Sequence, residues 1–291
     1  RILFDEVNIT FTSGNCYGII GANGSGKSTF LNILSGKIEG NKGTISLESG
    51  KRISVLEQNH NSHDKHQVLE TVIRGNKKLF SIKQEMDNIY SNENFSDTDG
   101  ERVGELQVVY EEMDGWNAES DAATLLSNLG ISEELHYKIM EDLDGKHKVK
   151  VLMAQALFGN PDVLIMDEPT NDLDYHTINW LENFLSNYEN TVIVVSHDRH
   201  FLDSIANTIW ELDHETLQVF SGNYSKYRIQ KGEQVLWQRK RFQRQQEFIA
   251  KEEAFIRRYG AGQRASEARG RARRLSRLER LEAPLESKDI R

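Results

Sequence analysis

The 291 residues are enough for about two domains. Apolar residues make up 37%, sufficient for a core, but no run approaches the roughly 18 apolar residues of a membrane-crossing helix. With no secretory leader and a single cysteine, Cys16, an internal disulfide is excluded and a cytoplasmic protein without a membrane part is expected.

In chain order, the first strong signal is Gly21-Ala22-Asn23-Gly24-Ser25-Gly26-Lys27-Ser28. It fits G-x-x-x-x-G-K-[ST], with an apolar strand, Cys16 to Ile20, before it and a helical pattern, Thr29 to Leu34, after it. In that setting Gly21, Asn23, Gly24, Ser25, Gly26 and Thr29 form a backbone cradle for phosphates. Lys27 reaches the β- and γ-phosphates, and Ser28 offers a hydroxyl to Mg²⁺. Asn41-Lys42-Gly43 reads as a turn between two strands, and Ile53 to Leu56 as a further strand with Gln58 just beyond it.

Residues 66–145 change character. Val68 to Leu79, Glu101 to Met113 and Ala118 to Leu129 have helical spacing, Asn92 to Gly100 reads as a polar loop, and Trp116 is expected in the core. Val163 to Met166 is then an apolar strand ending in Asp167-Glu168. Asp167 is placed to hold Mg²⁺ and Glu168 to polarise an attacking water. A β-branched strand, Thr191 to Val195, runs into Ser196-His197, and a histidine at a strand end lies where α/β sheets bind ligands.

The last segment differs again. Residues 231–291 carry 17 Lys and Arg against 9 Asp and Glu, whereas residues 1–230 carry 19 against 36. Val235, Phe242, Ile249 and Ile256 recur every seven residues as one stripe of a long helix. Tyr259 to Gly262 breaks it, and Leu275, Leu278, Leu281 and Leu285 mark a second helix, so an antiparallel hairpin is expected. Around its tip lie Arg257, Arg258, Arg264, Arg269, Arg271, Arg273, Arg274, Arg277 and Arg280, against only Glu267 and Glu279. Guanidinium groups suit bidentate phosphate contact, so the tip is a candidate RNA-binding surface.

The loop at 21–28, Ala154 to Leu164, Asp167-Glu168-Pro169-Thr170-Asn171 with Leu173-Asp174, and Val195-Ser196-His197-Asp198-Arg199-His200-Phe201-Leu202 together resemble the nucleotide-binding domain of ABC ATPases. Asn171 and the absence of a membrane part resemble the ABC-F family in particular. The resemblance implies an α/β P-loop domain over 1–230, with a helical subdomain at about 66–150, followed by a basic helical hairpin linker over 231–291. It implies ATP hydrolysis with Mg²⁺ held by Ser28, Asp167 and Gln58, and γ-phosphate sensing by Gln58 and His197. The implied partners are the ribosome and tRNA, reached by the linker, and a second ABC ATPase domain beyond Arg291. An adenine-stacking aromatic is implied ahead of Arg1.

The sequence departs from the family at its start, where an earlier strand and that aromatic are expected before Arg1, and at its signature. Leu143-Asp144-Gly145-Lys146-His147 stands where the family carries Leu-Ser-Gly-Gly-Glu or -Gln, whose serine and second glycine reach the partner domain's nucleotide. Asp144 and Lys146 therefore put in question the ATP site completed by this signature, and leave the loop at 21–28 untouched. Two other classes compete: the ATPase subunit of a membrane transporter, which leaves the basic hairpin unexplained, and a chromosome- or repair-type ATPase, whose long coil between the two ATP motifs is missing here. Housekeeping translation, stalled-ribosome rescue and antibiotic resistance are all open under the ABC-F resemblance.

Overall fold

The computed structural model describes residues 7–92, 95–213 and 216–283. These separate into two compact units, Arg1–Tyr224 and Ser225–Arg291.

The first unit is built on a six-stranded sheet of order β2-β3-β4-β1-β5-β6. Its strands are β1 (Cys16–Ile20), β2 (Ile53–Val55), β3 (Val163–Asp167), β4 (Thr191–Val195), β5 (Thr208–Asp213) and β6 (Thr216–Ser221). The first five run parallel, and β6 pairs antiparallel with β5. Because strand side chains alternate and both sheet faces are covered, the central strands read as unbroken apolar runs. In β4, Ile193 and Val195 pack with Ile19, Phe30, Ile165 and Trp210, while Val192 and Val194 pack into the larger core with Leu164, Met166 and Phe201. Cys16 is buried in β1 as a small hydrophobe, and burial pushes its thiol up to about 12.

Parallel strands place their C-terminal ends at one edge, and the register aligns them. Ile19 of β1 and Asp167 of β3 both pair with Val195 of β4. The residues that follow each strand therefore emerge side by side. This is the edge at which α/β sheets bind ligands.

Helix α1 (Lys27–Leu34) leaves β1, α8 (Tyr175–Ser186) follows β3, and α9 (Arg199–Ile205) follows β4. Between β2 and β3 lies an all-helical region: α2 (Val68–Ile73), α3 (Lys77–Tyr90), α4 (Asp97–Glu112), α5 (Ala118–Asn128), α6 (Glu133–His136) and α7 (Gly145–Leu157). Three expectations fail here. The helix expected over Val68 to Leu79 is two helices. A Cβ at Gly75 would collide with the Gln155 carbonyl, and Asn76 caps α3 by accepting a bond from the Leu79 N–H at 3.3 Å. The loop expected over Asn92 to Gly100 gives way to helix at Asp97, because Ser96 and Asp99 form a reciprocal capping box. Trp116 is 63% exposed, its ring edge-on to Tyr110 at 5.0 Å, and does not join the core. Around Asn41-Lys42-Gly43 no strands form among the described residues, although Gly43 does adopt the left-handed backbone of a turn (φ 94°).

The second unit is carried by α10 (Tyr224–Tyr259) and α11 (Ala265–Ser276). Gln245 on α10 donates to the Glu279 carbonyl at 2.8 Å and accepts from the Leu281 N–H at 2.8 Å, while Glu252 meets Arg271. Numbers falling along one helix as they rise along the other make the pair antiparallel. Ile249 and Ala268 are buried, and Phe242, Ile256, Leu275, Leu278 and Leu281 are half-buried along the same seam. Leu285, Pro284 and Arg291 lie outside the described residues, as do Arg1 to Phe4.

Candidate functional site

The loop between β1 and α1 turns on glycine. Gly24 and Gly26 have φ of 78° and 101°, left-handed values that L side chains avoid, and Gly26 is the N-cap of α1. A Cβ at Gly21 would run into the Leu212 carbonyl. The loop therefore closes tightly and exposes backbone N–H groups at a helix N-terminus, an anion-binding arrangement. Lys27 is buried, and its ammonium donates to the Gly21 and Ala22 carbonyls at 2.9 and 3.1 Å. Burial draws its pKa down, and the carboxylates of Glu168 and Asp167 oppose that shift. The Ser25 hydroxyl is buried with no hydrogen-bond partner among the described residues. A buried donor left unpaired costs about 1–3 kcal/mol.

A cavity of about 710 Å³ opens over this loop. Asn23, Gly24, Gly26, Lys27, Ser28 and Thr29 line one side. Gln58, from beyond β2, faces them together with Asp167, Glu168 and His197. Gly21 and Ser25 lie in the loop but not in the cavity wall. The Gln58 amide donates to Asp167 Oδ2 at 2.9 Å, so two residues 109 apart in sequence meet at the strand ends. The hydroxyl of Ser28, the carboxylate of Asp167 and the amide oxygen of Gln58 are hard oxygen donors, the type Mg²⁺ prefers.

Glu168 follows β3 with φ of 52°, a left-handed conformation that costs a non-glycine residue about 1–3 kcal/mol. Its N–H donates to the Val195 carbonyl at 2.8 Å, which holds the turn. The His197 N–H donates to Glu168 Oε2 at 3.2 Å, and His197 Nε2 lies 3.4 Å from Oε1. Oε1 is buried and takes no hydrogen bond among the described residues. Glu168 lines the cavity with its Oε1 beside the His197 ring, which places a carboxylate, the chemical type of a general base, in the cavity wall. The sequence reading missed Glu57, His60 and Asp172, which also line the cavity. Their only signal was proximity in sequence to Gln58 and Asp167.

Asp144, Gly145 and Lys146 stand at the start of α7 and do not line this cavity, although Val149 one turn on does. The Asp144 carboxylate accepts from the His147 N–H at 2.9 Å and pairs with His147 Nδ1 at 2.8 Å. Those bonds, with a further one from the Lys146 N–H, hold Asp144 below the usual carboxylate range. The helix N-terminus is therefore filled by the chain's own anion.

The pattern of the ABC transporter family matches residues 4–171, and that of its extension, also described as ABC transporter, matches residues 210–291. The chain belongs to the ABC transporter ATPase family. This ABC ATPase is 58% identical over 224 residues to the uncharacterized ABC transporter ATP-binding protein YkpA of Bacillus subtilis (strain 168), covering 77% of the chain and 42% of YkpA. It is 42% identical over 290 residues to the probable ATP-binding protein YbiT of Escherichia coli O157:H7, covering 98% of the chain and 54% of YbiT. The chain thus spans about half the length of the curated relatives it matches. Its fold is that of ABC cassettes. A dimeric ATP-binding cassette bound to ADP and Pi in a post-hydrolysis state superposes with a TM-score of 0.53 at 21% identity, covering 75% of this chain and 90% of that one. A nucleotide-free ATP-binding cassette from an ABC transporter gives 0.52 at 18% identity, covering 78% and 87%. Among the described residues no helix of this ABC ATPase is long and apolar enough to cross a membrane.

In the second unit the arginines divide. Arg257, Arg258, Arg269, Arg273, Arg274 and Arg277 are exposed. Arg264 is exposed too but is held by Glu267 at 2.8 Å, whereas Arg271 is half-buried against α10 and binds Glu252 at 3.0 Å and Glu267 at 2.8 Å.

Proposed function

We propose that the chain is the first ATPase domain and following linker of an ABC-F type ATPase that acts on the ribosome to modulate translation. The observation that carries this reading is the presence in one chain of an ABC phosphate-and-metal cavity and a hairpin displaying an arginine edge with no ion pair among the described residues. RNA, with one phosphate per nucleotide, is the partner such an edge fits.

In this reading ATP lies in the cavity with its phosphates on the Gly21–Ser28 loop, and Lys27 exchanges the Gly21 and Ala22 carbonyls for β- and γ-phosphate oxygens. Ser28, Asp167 and Gln58 would hold Mg²⁺, which supplies charge neutralisation on the β- and γ-phosphate oxygens. Glu168 polarises the attacking water. His197 orients that carboxylate and stands at the γ-phosphate end. A second cassette, consistent with relatives about twice as long as this chain, would close over the nucleotide. Arg257, Arg258, Arg269, Arg273, Arg274 and Arg277 would meet RNA, the ribosome and tRNA being the partners, in the cytoplasm.

The test is co-sedimentation of the Glu168→Gln full-length protein with purified ribosomes and with membranes, each with ATP. ATP-dependent association with ribosomes supports the reading. Recovery with membranes alone replaces it with a transporter subunit.

A further inference from the structure

The arginine-rich tip holds two populations with different surroundings. On α11, Ala268 is buried and Arg271 and Leu275 are half-buried, so these positions mark the side turned to α10. The Arg271 guanidinium lies over the Phe255 ring at 3.8 Å and sends one nitrogen to Glu252 Oε1 at 3.0 Å and another to Glu267 Oε1 at 2.8 Å. Glu252 is only 7% exposed. Arg264 covers Phe255 and Tyr259, at 4.9 Å from each ring, and binds Glu267 through two nitrogens at 3.0 and 2.8 Å. The Phe255 and Tyr259 rings themselves meet at 4.7 Å, tilted by 47°. Two carboxylates, two guanidinium groups and two rings thus form one closed cluster across the hairpin. Its planar, forked geometry is specific to arginine.

Arg269, Arg273 and Arg277 recur every four residues. At 3.6 residues per turn they fall on the side of α11 opposite Ala268, Arg271 and Leu275, about 6 Å apart along the axis. All three are exposed and make no ion pair among the described residues.

We infer that Arg271 is a latch that fixes the hairpin tip rather than an RNA contact, with Arg264 joining it through Glu267, and that Arg269, Arg273 and Arg277 form the edge that meets an RNA phosphate backbone. This rests on the ribosomal reading above and deepens it. The latch contributes through pre-organisation, because a tip already ordered spends less of its binding energy on ordering. The edge contributes through counterion release, which has its own signature in salt.

The experiment measures binding of the chain to purified ribosomes across a salt series, with amide hydrogen exchange over residues 252–272. Arg273→Gln with Arg277→Gln and Arg269→Gln should flatten the log–log salt slope by about 2, at roughly 0.7 per lost contact, with exchange unchanged. Arg271→Met should keep the slope, weaken binding about tenfold and speed exchange at the tip, the scale of re-ordering one or two long side chains. Arg271→Lys decides the matter. It preserves the charge but not the fork, so a latch fails in it as in Arg271→Met, whereas a phosphate contact survives. Unaltered binding and exchange in Arg271→Lys, or a flattened slope in Arg271→Met, overturns the latch while leaving the ribosomal reading standing. Absence of salt-dependent binding by the unaltered chain overturns both.

Discussion

The nucleotide cavity and the arginine hairpin both gather charge, and they use it in opposite ways. In the cavity, Gln58, Asp167, Glu168 and His197 come from the ends of three parallel strands and converge on one point. Their geometry is set by strand register and by a left-handed turn at Glu168, so each residue has a single place to be. In the hairpin, the same residue type is split by helical phase. Arg271 faces inward onto Glu252 and Phe255, and Arg273, two residues on, faces solvent. A sheet edge assembles distant residues into a site, whereas a helix distributes adjacent ones around its circumference.

The largest effect should come from the point of convergence. Glu168→Gln keeps shape and hydrogen bonding but loses the charge that polarises water. ATP turnover of the full-length protein is expected to fall by about 10²-fold or more, with ATP binding retained. Lys27→Ala should instead weaken ATP binding itself, read by nucleotide titration. Undiminished turnover in Glu168→Gln would break the comparison on the cavity side.

Next is the exposed edge. Replacing Arg269, Arg273 and Arg277 with Glu should abolish ribosome co-sedimentation at physiological salt, because three attractive contacts become repulsive. ATP binding should be untouched, since Lys27 lies in the other unit. Wild-type-like sedimentation would make these arginines an ordinary solvated face and erase the contrast with Arg271.

The signature segment sharpens the comparison between local and assembled charge. Asp144 occupies the α7 N-terminus that the family uses toward a partner's nucleotide, and a carboxylate beside a phosphate is repulsive. Asp144→Ser with Lys146→Gly should raise turnover at the composite site of the full-length protein. Serine remains a good N-cap, while glycine at 146 within the first turn of α7 should cost up to about 1 kcal/mol of stability. Unchanged single-site kinetics would mean that Lys146 compensates for Asp144.

The smallest effect concerns Asp174, the N-cap of α8. Its carboxylate accepts from the Thr177 N–H at 3.0 Å and pairs with Lys150 at 2.6 Å, which holds it well below the usual carboxylate range. A depressed carboxylate contributes stability at neutral pH that is lost as pH falls below its ordinary value of about 4. Asn also caps helices, so Asp174→Asn should cost about 1 kcal/mol at pH 7, chiefly because the largely buried Lys150 loses its partner. The denaturation curves of the two proteins should converge on strong acidification. A gap that persists at low pH would assign the loss to capping geometry instead.

Much of the cavity was legible because its chemistry demands contiguous residue patterns. The Gly21–Ser28 loop, the Asp167-Glu168 pair and the histidine after β4 each follow an apolar strand, and the sheet does bring them together. Glu57, His60 and Asp172 were not legible, since their place in the wall depends on loop paths with no periodicity. The break at Gly75 was hidden because it is imposed from outside, by the Gln155 carbonyl of α7. Helix α3 did carry its own signal, with Leu79, Ile82 and Met86 spaced to one buried face.

The sequence by itself determined the family, the α/β sheet with its helical region, the phosphate loop and the break between the hairpin helices. These are written in short spacings whose meaning is local: a glycine that must turn, a strand that must be buried, a lysine beside a helix N-terminus. The tertiary structure alone decided which arginines are free. Arg264 and Arg271 look like their neighbours in the chain, and only the approach of Glu252 and Phe255 from α10 sets them apart. A guanidinium's role is fixed by what stands across from it, and that depends on the pairing of two helices rather than on the residues beside it.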